Sequence, residues 1–193
     1  MNQRTLVLLK PDAVLRGISG EILTRIERCG LKVVAAKFLN VSKELGRTHY
    51  AKDDDWKENV GKRAINECAE FDLDVNDIFG TNDAIKIGDI LVERNAEFLN
   101  SGPVFAFIFE GPNAVKKVRN LIGSTFPESA NPGTIRGDFG LENSFTGTSK
   151  KRTTYNLIHA SGNIEEANQE IELWFKPEEI IEYKQVHENF YNY

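Results

Sequence analysis

The chain has 193 residues, 40% hydrophobic and 27% charged, which is ordinary for a globular protein and enough for one domain with a sizeable core. A formal net charge of -5 argues against general affinity for nucleic acid or anionic membrane, and two cysteines without metal-ligand spacing, Cys29 and Cys68, argue against a disulfide framework or a structural zinc. Any polyanion must therefore be held by a local cluster of cations.

Thr5–Leu9 is a continuous apolar run that Lys10-Pro11-Asp12 stops, so it reads as a buried strand. It is too short for a signal peptide or a membrane span, which makes the cytoplasm the expected location. Ile18, Ile22 and Ile26 recur at helical spacing before Gly30 and predict an amphipathic helix over Ser19–Cys29. Val33–Val41 is a second strand candidate, and Ser42 a plausible N-cap for a short helix ending near Tyr50. From Ala51 to Asn100 the chain turns acidic, with predicted helices around Gly61–Glu70 and Ile87–Leu99. Its aspartates read as solvated surface and N-caps, since they lack the spacing of a calcium loop.

After the break at Ser101-Gly102-Pro103, Val104–Phe109 is strand-like. Pro112-Asn113 opens a helix carrying Val115, Val118 and Ile122 that Gly123 closes. Thr125–Phe139 reads as a Pro/Gly-rich loop, Thr146–Arg152 as a mobile connection, and Tyr155–Ile158 as a last short strand. Asn163 with Glu166 resembles a capping box for a helix through Phe175. The order of elements suits an α+β fold of the ferredoxin-like, split βαβ kind, an antiparallel four-stranded sheet covered by helices; a doubly wound parallel sheet is the rival. The whole chain reads as a single domain, with a helical insertion at 51–100 and a C-terminal tail from 184.

The common phosphate-binding signatures are absent: Gly61-Lys62 has Trp56 where a P-loop needs its first glycine, and Asp138-Phe139-Gly140 lacks the rest of a protein-kinase signature. Of the histidines, His187 sits in a polar, aromatic tail and is expected to face solvent. His49 ends a short helix, where the helix dipole favours a protonated imidazole, and suggests a structural role. His159 follows Leu157-Ile158 and precedes Ala160-Ser161, small neighbours that leave room for a ligand; a core or capping histidine is the alternative.

Several segments taken in order resemble the nucleoside diphosphate kinase family. They are Arg4–Asp12, Ser101-Gly102-Pro103, Glu110–Val115, Pro132–Phe139, Asn156–Ser161, and Glu170–Phe175 with Pro177-Glu178-Glu179. The resemblance implies that His159 is the nucleophile that accepts phosphate, with Glu170 orienting its imidazole, Ser161 nearby and the Tyr50 phenol close to the ring. It implies that Lys10, Arg119 and Arg136 hold the phosphates beside the Thr125 hydroxyl, and that Asn156 reads the sugar. The set suits phosphoryl transfer, which needs alignment and charge neutralisation more than covalent help. An imidazole with a pKa of about 6.5 is largely neutral, hence nucleophilic, at neutral pH. A ping-pong exchange between nucleoside di- and triphosphates follows, with Mg²⁺ arriving on the phosphates, and the family implies a homo-oligomer, tetramer or hexamer, built from dimers.

The chain departs from that family between Tyr50 and Ser101, where it is about thirty residues longer than the short form, and again over Leu141–Arg152. Trp56 is the expected aromatic that stacks on the base. Gly162 stands where relatives often carry an acid, which bears on a water-mediated metal contact. A nucleotide-binding scaffold without turnover and a ferredoxin-like RNA-binding domain are the competing classes; the acidic balance and missing paired aromatics count against the second.

Overall fold

The computed structural model describes residues 2–51 and 53–186, so the expectation for His187 lies outside the described residues. The apolar runs become β1 (Asn2–Leu9), β2 (Lys32–Asn40), β3 (Pro103–Pro112) and β4 (Ile158–Ala160). They pair antiparallel in the order β2-β3-β1-β4. This is the split βαβ, ferredoxin-like sheet, and it sets aside the parallel alternative. Around it, in chain order, lie α1 (Pro11–Leu15), α2 (Ser19–Glu27), α3 (Lys43–Tyr50), α4 (Asp54–Glu70) and α5 (Val75–Phe79). They are followed by α6 (Ala84–Asn100), α7 (Ala114–Ile122), α8 (Ile135–Phe139), α9 (Ser144–Ser149) and α10 (Ile164–Trp174).

Alternation along each strand sends neighbouring side chains to opposite faces. Val7, Leu9, Phe107, Phe109, Ile158 and Ala160 pack against Ile22 and Ile26 of α2 and Val118 and Ile122 of α7. Leu6, Leu8, Ala106 and Ile108 pack on the other face against Leu99 of α6 and Ile171 and Trp174 of α10. Both faces are thus covered, which is why these runs are apolar throughout. Each fully buried Leu, Ile or Phe contributes about 1.5–3 kcal/mol on burial.

The acidic stretch differs from its expected outline because its aspartates cap more helices than periodicity predicts. Asp53, Asp74 and Asp83 accept backbone N–H bonds at the starts of α4, α5 and α6. α4 therefore begins well before Gly61, and α5 is an element the sequence reading lacked. Gly61 and Gly88 let α4 and α6 touch: a Cβ on Gly61 would lie 1.9 Å from the Ala84 carbonyl oxygen, and one on Gly88 2.6 Å from Lys57. Ala64, Cys68, Ile78, Phe79 and Ile87 make a separate small core beneath these helices.

Three further expectations are corrected. Lys10-Pro11-Asp12 stops β1 but also starts α1, since a proline without an N–H suits a first helical turn. The segments expected as loop and mobile connection hold α8 and α9, capped by the side chains of Thr134 and Asn143. Arg152, just past α9, is anchored by both guanidinium nitrogens on Glu142. β4 starts at Ile158 rather than Tyr155, because Leu157 has a left-handed φ of 69° and interrupts the extended chain.

Candidate active site

Register decides where His159 points. Its Cα pairs with Leu8, so its side chain shares the face that α10 covers, while Ile158 and Ala160 fill the opposite core. On α10, Glu170 is 6% exposed, and its two oxygens are divided. One receives His159 Nε2–H at 2.8 Å; the other receives the Ser161 hydroxyl at 2.6 Å. With its proton on Nε2, the ring carries its lone pair on Nδ1. Ser161 is fully buried and also accepts the Leu6 N–H at 3.2 Å, so it braces the carboxylate against β1.

The segment before His159 is stapled to the end of β1. The Lys10 N–H donates to the Leu157 carbonyl at 2.8 Å, and the Leu157 N–H donates to an Asp12 carboxylate oxygen at 2.9 Å. The Ile158 N–H donates to the Asn156 carbonyl at 2.8 Å, closing a γ-turn around Leu157. With φ at 69°, this is the rarer, strained form of that turn, held by its surroundings at a cost of about 1–2 kcal/mol.

Two cations are built into the same corner. Lys10 Nζ donates to Asn156 Oδ1 at 2.9 Å, and Asn156 Nδ2 donates in turn to the Thr125 carbonyl at 2.9 Å. Burial first, then the Arg136 charge, lowers the Lys10 amine to about 8. Arg136 is 4% exposed, and its guanidinium donates to four backbone carbonyls, those of Gly123, Ser124, Asn156 and Ile158. Burial, then Arg119, brings its pKa down to about 10, so it is still charged at neutral pH. Arg119 itself is exposed in the last turn of α7, close enough for its charge to act on Arg136. The Thr125 residue is exposed next to them.

Tyr50 closes the site from α3, with its ring 6.4 Å from His159. Its hydroxyl is buried without a partner among the described residues, as is the second oxygen of Asp12. Burial, then the Glu170 charge, pushes the phenol up, so it remains a donor. A buried donor without an acceptor is costly, and a ligand oxygen would relieve it.

Trp56 lies half-buried in the first turn of α4. His49 ends α3, where a structural role was expected with the helix dipole favouring protonation; it is buried beside His159, and its Nδ1 accepts the Trp174 indole N–H at 3.2 Å. The sequence reading also missed a cleft of about 170 Å³ next to the lysine. Arg94, Glu97, Phe98, Arg152, Thr153 and Tyr155 line it, Phe98 and Tyr155 stack at 4.4 Å, and Lys10 Nζ lies 5.8 Å from the Phe98 ring centre. At Gly162 a Cβ would meet the Glu166 carboxylate at 2.6 Å, so a carboxylate from α10 fills that space.

A histidine–carboxylate pair beside a buried lysine and arginine is an arrangement for holding and passing a phosphate. Comparison with known proteins agrees with that chemistry. The nucleoside diphosphate kinase family model matches residues 3–62 and 87–180. The chain is 38% identical over 180 residues to a nucleoside diphosphate kinase of Pyrobaculum aerophilum, covering 93% of this chain and 98% of that one. It is 38% identical over 182 residues to one from Borreliella burgdorferi, covering 94% and 92%. A crystal structure of an NDP kinase from Pyrobaculum aerophilum superposes with a TM-score of 0.92 at 37% identity, covering 94% of this chain and all of that one. A transition-state mimic of the Borrelia burgdorferi enzyme, with bound vanadate and ADP, superposes with a TM-score of 0.76 at 36% identity, covering 97% and 95%. With family segments matched along most of its length and the same fold beneath them, the chain belongs to the nucleoside diphosphate kinase family.

Proposed function

We infer that the protein moves the terminal phosphate of a nucleoside triphosphate such as ATP to a nucleoside diphosphate, with His159 as the intermediate carrier. The observation that carries the reading is the setting of one ring. His159 gives Nε2–H to Glu170, keeps its lone pair on Nδ1, and stands on a segment tied to Lys10 and Arg136. Nδ1 attacks the γ-phosphorus, an N–P bond forms, and the bond to the bridging oxygen breaks as the diphosphate leaves with the electron pair. The ring's gained charge is balanced through Nε2–H by Glu170. A second diphosphate attacks the same phosphorus, and the N–P bond returns its electrons to Nδ1.

In this reading Lys10, Arg119 and Arg136 neutralise phosphate charge, with the Thr125 and Tyr50 hydroxyls as donors. Asn156 receives the sugar, and Trp56 is the candidate for stacking on the base; Phe98 and Tyr155 instead stack on each other, with the Arg152 guanidinium over the Tyr155 ring. Mg²⁺ arriving with the nucleotide would supply further charge neutralisation. Glu170 commits both oxygens to His159 and Ser161 and Asp12 gives one to Leu157, so the ion would ride mainly on phosphate oxygens.

Incubation with ATP labelled at the γ-position tests the proposal. Acid-labile label on the protein, discharged by added diphosphate, is expected; unlabelled wild-type protein would leave only a nucleotide-binding scaffold. Assembly into a tetramer or hexamer built from dimers belongs to the same reading, and a light-scattering mass of one 21.8 kDa chain would remove it. The cytoplasm is the compartment proposed, in keeping with the unpaired thiols of Cys29 and Cys68.

The lysine gives a pH dependence. With its pKa near 8, Lys10 is charged below that pH and neutral above it in the unliganded protein. Bound phosphate favours the charged amine, so above pH 8 binding must draw in a proton. The dissociation constant for a diphosphate is expected to rise by up to about tenfold per pH unit beyond that point. Lys10→Arg should abolish this alkaline weakening; a titration flat to well above the lysine's pKa would remove Lys10 from the phosphate site.

A further inference from the structure

His49 is a second imidazole wedged between the proposed carrier and α10, and no step above uses it. It is 4% exposed, stands edge-on to His159 with ring centres 4.4 Å apart, and edge-on to Trp174 at 5.5 Å. The Trp174 indole N–H donates to His49 Nδ1 at 3.2 Å. An indole nitrogen only donates, so Nδ1 keeps its lone pair and the neutral ring carries its proton on Nε2. That same Nδ1 lies 3.7 Å from the Glu170 oxygen that receives His159 Nε2–H.

Two influences pull His49 toward the charged form: the Glu170 carboxylate and the C-terminal end of α3. His159 from β4 and the Tyr50 phenol, 4.8 Å away ring to ring on its own helix, are further titratable groups facing it. The indole N–H opposes protonation by occupying the one nitrogen that could take a proton toward Glu170. Were Nδ1 protonated, His49 would be a second cation on the oxygen that orients His159, and the nucleophile's tautomer would lose its anchor.

We propose that Trp174 and His49 act as positioning residues: the indole holds His49 neutral, which reserves Glu170 for His159 and keeps a second, earlier loss of phosphate transfer from appearing as pH falls. The inference rests on His159 being the carrier. It concerns what keeps that ring usable as pH falls.

Trp174→Phe removes the donor and keeps an aromatic ring. Phosphoenzyme formation by the variant, divided by that of wild type, is expected to fall about tenfold between about pH 8.5 and about pH 5.5, as protonation of an imidazole of ordinary pKa would give. Adding His49→Gln, which cannot titrate, should flatten that ratio. A flat ratio in folded Trp174→Phe would overturn the proposal, because lost packing alone is indifferent to pH. Imidazole ¹⁵N spectra of the wild-type protein, assigned with His49→Gln, give a readout that needs no variant to be active. A neutral His49 protonated on Nε2 throughout the range is expected; a doubly protonated ring, or a proton on Nδ1, would overturn the proposal too. Failure of wild-type protein to take label at any pH would instead strike the carrier role of His159.

Discussion

With His159 replaced by alanine, exchange between nucleoside triphosphates and diphosphates is expected to fall by at least about 10⁴-fold, with no acid-labile label on the protein. The size follows from the role: no other group described at the site presents a lone pair at the end of a clustered phosphate site, so the remaining cations bind nucleotide without passing the phosphate on. Folding should survive. The His159 side chain is 18% exposed, and its removal leaves one Glu170 oxygen without its 2.8 Å donor while Ser161 holds the other. An under-satisfied buried carboxylate costs about 1–3 kcal/mol, or several degrees of melting temperature in a domain this size. His159→Gln separates the two effects, since its amide can still donate to Glu170 but has no nucleophilic nitrogen. Stability near wild type with activity as low as the alanine variant is the expected pair of results. Ordinary turnover in either variant would remove His159 from the reaction.

The sheet was legible because its strands are buried on both faces. Leu6–Leu9 and Val104–Phe109 are apolar without interruption, and no helical period competes with them. Helices were legible where a cap preceded a periodic stripe, as at Ser42 and Asn163, both of which accept N–H bonds as expected. The short helices were not. α5 and α9 have five and six residues, too few for a period to show, and a cap alone marks them.

The site divides in the same way. Lys10 and Asn156 are 146 residues apart, and composition and spacing say nothing of their hydrogen bond; only resemblance to a family could place them together. The positive φ at Leu157 was illegible because nothing in the side chain favours it, and long-range bonds from Lys10 and Asp12 impose it. The setting of His49 was illegible for a related reason. The helix dipole acts locally and can be read from sequence, whereas the Trp174 N–H that opposes it comes from 125 residues away.

Arg136→Ala is expected to lower stability by about 3–5 kcal/mol and to abolish most activity. Resemblance alone makes this residue a phosphate ligand, yet most of its donors serve the protein. Nε and Nη1 bond the carbonyls of Asn156, Gly123 and Ser124, and Nη2 bonds that of Ile158, leaving one N–H of the five to reach a phosphate oxygen. Through these bonds one guanidinium ties the turn after α7, which leads into Thr125, to the strained segment that carries His159. Its loss would leave buried carbonyls without donors and free the γ-turn at Leu157, so the acceptor nitrogen and the phosphate cations would no longer share a fixed distance. A drop of about 10 °C in melting temperature would correspond to that range. Arg136→Lys keeps the charge with three donors on a single nitrogen, which cannot span four carbonyls. It should therefore recover part of the stability and little of the turnover. If lysine restored turnover in full, the bracing would be dispensable and charge alone would account for the residue; if alanine left the melting temperature unchanged, the carbonyl bonds would carry no stability.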